Sequence, residues 1–168
     1  MTALDTNVLV HIITNDDGSQ AARAAAFLRE QQRVFISKTV LLELEWVLRS
    51  AYKIGPNAII SALRDVLSVF NVEIEDEAVV RQAIEWYEKG MDFADALHVA
   101  SAGRKRKFAT FDNRLRHKVR RLGLGENWQI FEFANKKTVH LVPPAPDEVP
   151  RGPRRRPEVS GGRCVCQA

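Results

Sequence analysis

Five carboxylates of the 168-residue chain stand where an acidic side chain needs a physical reason. Asp5 interrupts the run Ala3-Leu4-Asp5-Thr6-Asn7-Val8-Leu9-Val10, and a carboxylate between apolar stretches is costly unless it caps a helix, pairs with a cation or binds a metal. Glu43 has Thr39, Val40, Trp46 and Val47 three and four positions away, so no cation shares its helical face. Glu45, by contrast, has Arg49 four residues on, the spacing of an exposed ion pair. Glu45 therefore reads as structural and Glu43 as reserved. Asp92 and Asp95 in Asp92-Phe93-Ala94-Asp95-Ala96-Leu97-His98 lie on one face at a helix start, and Asp112 follows a short strand and precedes a helix, as Asp5 does. Plainer roles exist for each: N-capping for Asp5 and Asp112, complementing the helix dipole for Asp92 and less so for Asp95, and a boundary position reaching solvent for Glu43. Brought into one pocket, however, unit charges about 4 Å apart repel by roughly 4 kcal/mol at an effective dielectric near 20, so Asp5, Glu43, Asp95 and Asp112 together call for a divalent cation. Oxygen ligands alone point to Mg2+ or Mn2+. No zinc spacing competes, because His11, His98, His117 and His140 are scattered and Cys164-Val165-Cys166 lacks a second ligand pair.

What would bring these residues together is a sheet fed by alternating elements. The first 134 residues alternate short β-branched or aromatic runs with amphipathic helical patterns, which is a βα reading. Strands are expected at Thr2 to Asp5, Val34 to Ser37, Val72 to Glu75, Phe108 to Phe111 and Trp128 to Phe133. Helices are expected at Thr6 to Thr14, Gln20 to Gln32, Thr39 to Tyr52, Pro56 to Phe70, Asp76 to Lys89, Asp92 to Lys105 and Asn113 to Leu122. The fold class is α/β: a parallel central sheet of about five short strands flanked by helices. In such sheets function collects at the carboxyl ends of the strands, where Asp5 and Asp112 stand.

Charge is distributed unevenly. Residues 1–103 hold 9 basic and 15 acidic side chains, residues 104–134 hold 9 and 3, and residues 135–168 hold 7 and 3. An acidic body followed by a basic segment suits a protein that gathers a cation at one place and a polyanion beside it. Arg104, Lys105, Arg106, Lys107, Arg114, Arg116, Lys118, Arg120 and Arg121 form a candidate track for a nucleic-acid backbone. From Asn135 onward lie six of the seven prolines and Arg154-Arg155-Arg156, so 135–168 reads as a disordered basic tail after a domain at 1–134. Both cysteines fall in the last five residues, which excludes a disulfide-stapled miniprotein. No window resembles a membrane span, and Asp5 sits where a signal peptide would carry a cation, so the expected location is the cytoplasm and no membrane partner is expected.

With Leu4-Asp5-Thr6-Asn7, Leu42-Glu43-Leu44, Asp92-Phe93-Ala94-Asp95-Ala96 and Thr110-Phe111-Asp112-Asn113 in this order, the chain from about Thr2 to Phe133 resembles PIN-domain ribonucleases of the VapC type, toxins of type II toxin-antitoxin pairs. The resemblance implies an acidic Mg2+ site of Asp5, Glu43, Asp95 and Asp112, with Asp92 as an accessory carboxylate. It also implies that Thr110 orients the site and that Thr6 and Asn7 support it, with Asn113 beside them in the last motif. A homodimer and an antitoxin whose C-terminal segment blocks the acidic pocket are further implications. The tail after Asn135 departs from the family pattern. The chemistry these residues would permit is metal-assisted hydrolysis of RNA, in which a bound water would attack the phosphate in line and leave a 5′-phosphate and a 3′-hydroxyl. Asp5 and Asp95 are the first choices for direct ligands, and Glu43 and Asp112 complete the shell or position the water. Two other classes compete. One is a non-catalytic RNA- or protein-binding module using the basic segment 104–121; the other is a phosphoryl-accepting α/β domain, disfavoured by Asn7 where a second Asp is needed and by the want of a well-placed lysine.

Overall fold

The structure is a computed structural model that describes residues 1–103 and 108–124 and the backbone of 130–132. Arg104, Lys105, Arg106, Lys107 and the whole segment 135–168 lie outside the described residues, and so does the reading of a disordered tail. Short strands and longer helices alternate. Strand β1 (Thr2–Ala3) leads into helix α1 (Thr6–Thr14), which turns into α2 (Gly18–Glu30), and β2 (Val34–Ile36) precedes α3 (Lys38–Ser50) and α4 (Pro56–Ser68). Then come β3 (Val72–Ile74), α5 (Glu77–Glu88), α6 (Phe93–Ala102), β4 (Phe108–Thr110), α7 (Asn113–Arg121) and β5 (Ile130–Glu132).

Every strand pairing among the described residues is parallel, as the alternation with helices requires. The central sheet has three strands rather than about five. Its order is β1-β2-β3, with Thr2 opposite Val34 and Val34 opposite Val72, while β4 and β5 pair with each other as a separate two-stranded sheet. The brevity of β1 gives a reason. Asp5 caps α1 immediately after the strand, leaving two residues to present hydrogen-bonding groups to a neighbour, too short an edge to propagate a sheet.

The core lies where the helices cover this sheet. Val34 and Ile36 of β2 are fully buried, as expected of a strand covered on both faces, and they meet Leu41, Leu44 and Leu48 of α3, Ile59 and Leu63 of α4 and Phe93 and Val99 of α6. Helix starts follow sequence chemistry. Pro56 opens α4, where its missing N–H costs nothing, and Asp17 accepts from the backbone N–H groups of Ser19 and Gln20 at 2.9 and 3.0 Å to open α2. The corner between α1 and α2 is pinned by Asp16. Its carboxylate pairs with His11 Nδ1 at 3.0 Å and accepts from Thr14 Oγ1 at 3.2 Å, from the Asp17 N–H at 3.0 Å and from Tyr52 Oη, beyond the end of α3, at 2.5 Å. These donors, Tyr52 and then His11 foremost, hold the Asp16 carboxyl down at about 2.

Glu45 corrects the expectation of an exposed ion pair. The pair with Arg49 forms, Nε to Oε1 at 2.8 Å, but Glu45 is 2% exposed and its Oε1 also accepts from the buried Tyr87 Oη at 3.0 Å. Glu45 lies on the same face as Leu41, Leu44 and Leu48, so the helix must bury it. Burial foremost, then the Glu45 charge, pushes the Tyr87 hydroxyl well above its ordinary range.

Candidate active site

The four carboxylates arrive on different elements, each fixed by local geometry. Asp5 is the N-cap of α1, and its Oδ1 accepts from the Thr6 N–H at 2.7 Å while Asn7 Nδ2 reaches Oδ2 at 3.4 Å. Asp92 caps α6, with Oδ1 accepting from the N–H groups of Ala94 at 2.9 Å and Asp95 at 3.4 Å. Asp112 caps α7, with Oδ1 accepting from Arg114 and Leu115 at 2.7 and 3.2 Å. The capping roles foreseen for Asp5 and Asp112 are therefore real, and Asp92 shares them. They do not exhaust these groups. A carboxylate offers about four lone-pair sites, and the caps at Asp92 and Asp112 engage a single oxygen, which orients the side chain and leaves Oδ2 for a ligand.

Glu43 is tied to the first helix by one bond: Thr6, only 2% exposed, donates its hydroxyl to Glu43 Oε2 at 2.6 Å. That bond joins the start of α1, one residue from Asp5, to the exposed face of α3. Glu43 and Ala94, the residue before Asp95, line a common cavity of about 360 Å³ with Thr39, Trp46 and Arg49. Asp95, partly buried in the first turn of α6, has its carboxyl pushed up by burial foremost and then by the negative charges of Asp92 and Asp112. Thr110 Oγ1 accepts from the Asp112 N–H at 3.0 Å and so shapes the turn that aims Asp112. Asn113 accepts from the Arg116 guanidinium with Oδ1, and Arg114 and Arg116 extend the basic face of α7.

A metal is supported by donor type. Every candidate ligand is a carboxylate oxygen, the set that a hard divalent cation prefers, and none of the five acids has a Lys or Arg ion-pair partner among the described residues. The positions are not closed into a coordination shell. No three acidic, histidine or cysteine side chains stand close enough to hold an ion among the described residues. No helix among these residues is long and apolar enough to cross a membrane.

Sequence reasoning missed a second feature beside the site. A cleft of about 700 Å³ between α1 and α2 is lined by Asn7, Val8, His11, Arg23, Ala24 and Phe27, with Gln20, Ala26 and Glu30 completing its wall. The available signal was the i, i+3, i+4, i+7 series of Gln20, Arg23, Ala24 and Phe27, which puts a cation, a small residue and an aromatic on one stripe of α2.

Among solved structures, VapC20 of Mycobacterium tuberculosis, whose crystal structure is described as that of a sarcin-ricin loop cleaving toxin, is 24% identical. The match covers 70% of this chain and 94% of that one, with a TM-score of 0.37. No curated protein matches. A model of the PIN domain matches residues 2–120, a stretch that takes in all four carboxylates and the helices that carry them, and the chain belongs to the PIN domain family.

Proposed function

We propose that this chain is a metal-dependent endoribonuclease that hydrolyses RNA phosphodiester bonds, acting as the toxin of a type II toxin-antitoxin pair. One observation carries the reading: in a PIN-family chain, the partly buried Asp95 bears the like charges of Asp92 and Asp112, which His98 offsets only in part, and it has no Lys or Arg ion-pair partner among the described residues. Folding tolerates such repulsion where a bound cation repays it. Asp5 and Asp95 would hold Mg2+, or Mn2+ in its place, with Glu43 and Asp112 completing the set. When bound, that ion would activate water and offset charge on the phosphate.

The chain's own groups do the rest. The Thr6 hydroxyl holds the Glu43 carboxylate in place, the caps at Asp92 and Asp112 fix the directions of those carboxylates, and Arg114 and Arg116 offer donors to the RNA backbone. The antitoxin partner and a homodimer belong to the same proposal on the strength of the sequence motifs, and a dispensable tail 135–168 on the strength of its proline- and arginine-rich composition. The test is cleavage of total cellular RNA by purified protein with Mg2+, with chelator, and as Asp5→Asn. Cleavage that needs the ion and Asp5 supports the reading; undiminished cleavage in excess chelator overturns it. Bacterial growth arrest on expression, relieved by a small co-encoded protein, checks the toxin assignment separately, and normal growth with active soluble protein present rejects it.

A further inference from the structure

We infer that the cleft between α1 and α2 seats an unpaired nucleotide next to the cleaved bond, with Phe27 stacking on its base and Arg23 binding its phosphate. This rests on the nuclease reading and deepens it by giving that site a neighbouring nucleotide subsite built by α2.

Three observations converge on the cleft. It adjoins the acidic site through Asn7, which lines it and also donates to Asp5 Oδ2 at 3.4 Å, so a chain bound at the carboxylates passes directly into it. Its volume of about 700 Å³ falls within the range of pockets that enclose small organic groups. Its polar equipment also matches a nucleotide. Arg33, Arg49, Arg64 and Arg81 are each neutralised by a carboxylate, whereas Arg23, which lines the cleft with Glu30 seven residues on, has no ion-pair partner among the described residues; Arg29 and Arg114 have none either but lie outside the cleft. Phe27 follows Arg23 by one helical turn and is 38% exposed, presenting a ring to the same space. An open guanidinium one turn from an open aromatic ring suits a phosphate and the base attached to it. The acids Asp5, Glu43, Asp95 and Asp112 would repel RNA, so a cation and a stacking face beside them are what a polyanionic substrate requires. A base within a duplex has both faces covered by its neighbours, so only an unpaired one can use the ring.

The experiment measures binding and cutting separately, on the full chain. Binding of a short fluorescein-labelled oligoribonucleotide of mixed sequence, free or annealed to its complement, is followed by anisotropy over a range of salt, with the Asp5→Asn background preventing cleavage. Phe27→Ala is expected to weaken binding of the free strand by about tenfold, and Phe27→Trp to restore it. Arg23→Gln is expected to weaken it too and to reduce the log-log salt slope by about 0.7. Phe70→Ala, at an exposed ring outside the cleft, is the control expected to change nothing. The annealed strand is expected to be indifferent to all three positions. Thermal melts check that each variant is folded. If folded Phe27→Ala and Arg23→Gln proteins bind the free strand as tightly and with the same salt slope as their parent, the subsite is overturned. Should the Asp5-intact parent then still cut RNA, the nuclease reading survives alone. Dependence on Phe27 and Arg23 in a parent that never cuts supports an RNA subsite and removes the nuclease. A parent that binds no RNA overturns both, and the cleft is then free for a protein partner.

Discussion

Helix α3 carries two glutamates two residues apart that meet opposite fates. Glu45 faces the core, where Arg49 and Tyr87 supply donors to its carboxylate. Glu43 faces outward, and its described donor is the single hydroxyl of Thr6. The difference teaches that an acidic residue's neighbours reveal its use better than its burial does. The buried glutamate is held by several donors and contributes to the fold, whereas the exposed one keeps spare acceptor capacity and lines a cavity with Ala94, the residue before Asp95.

The sharpest way to break this comparison is at the acids themselves. Asp5→Asn and Asp95→Asn are expected to reduce RNA cleavage by a factor of at least about 100 while the far-ultraviolet circular dichroism stays that of the parent. Activity within a few-fold of the parent would remove either residue from the site. Next comes the pair on α3. Glu43→Gln is expected to lower cleavage about 10- to 100-fold with little change in urea midpoint. Glu45→Ala, which strands the buried Tyr87 hydroxyl, is expected to cost about 2–3 kcal/mol of unfolding free energy while the folded protein keeps its cleavage rate. Equal stability losses at the two positions would erase the distinction.

A subtler effect concerns the charge on Asp95. Its carboxyl is raised in the folded state, so the native protein binds that proton more tightly than the unfolded chain does. Ionised Asp95 therefore destabilises the fold at neutral pH, and the deficit closes as pH falls through the folded value toward the ordinary aspartate value near 3.9. Without divalent metal, Asp95→Asn is expected to melt higher than the parent at pH 7 and at nearly the same temperature near pH 3. Added Mg2+ should raise the parent's melting temperature and leave the variant's less changed. The smallest effect is expected from ending the chain at Ala134: unchanged maximal cutting at saturating RNA, with weaker binding at low salt as seven basic side chains are lost. Unfolding of the shortened chain would place the tail within the fold.

Much of this was legible in the sequence, because the relevant rules are local. The helix start at Pro56, the alternation of strand and helix, and the capping positions Asp5 and Asp112 follow from short-range chemistry, whereas the helix expected from Gln20 begins two residues earlier, at Gly18, because Asp17 caps it. Strand partnership depends on contacts far apart in the chain, so the expectation of one sheet of about five strands gave way to sheets of three and two. Glu45 shows a different failure. The Arg49 partner four residues on is visible in the sequence, but Glu45 also sits on the Leu41, Leu44 and Leu48 stripe, and that stripe decides its burial. The bond between Thr6 and Glu43 spans 37 positions and connects two faces that no periodicity relates.

The corner at Asp16 also bears on motion. The α1 and α2 walls of the cleft meet at Asn15–Asp17, and Asp16 fastens that corner to Tyr52 beyond the last turn of α3. Helix α2 has a single buried residue, Ala21, so little apolar packing restrains it otherwise. A segment held by a polar clasp instead of a core opens without global unfolding. Amide hydrogens along Gly18–Glu30 should accordingly exchange much sooner than those of β2 and α3. Loosening the clasp by Tyr52→Phe should hasten them further while the slowest amides keep their rates, making the width of the cleft a fluctuating quantity rather than a fixed dimension.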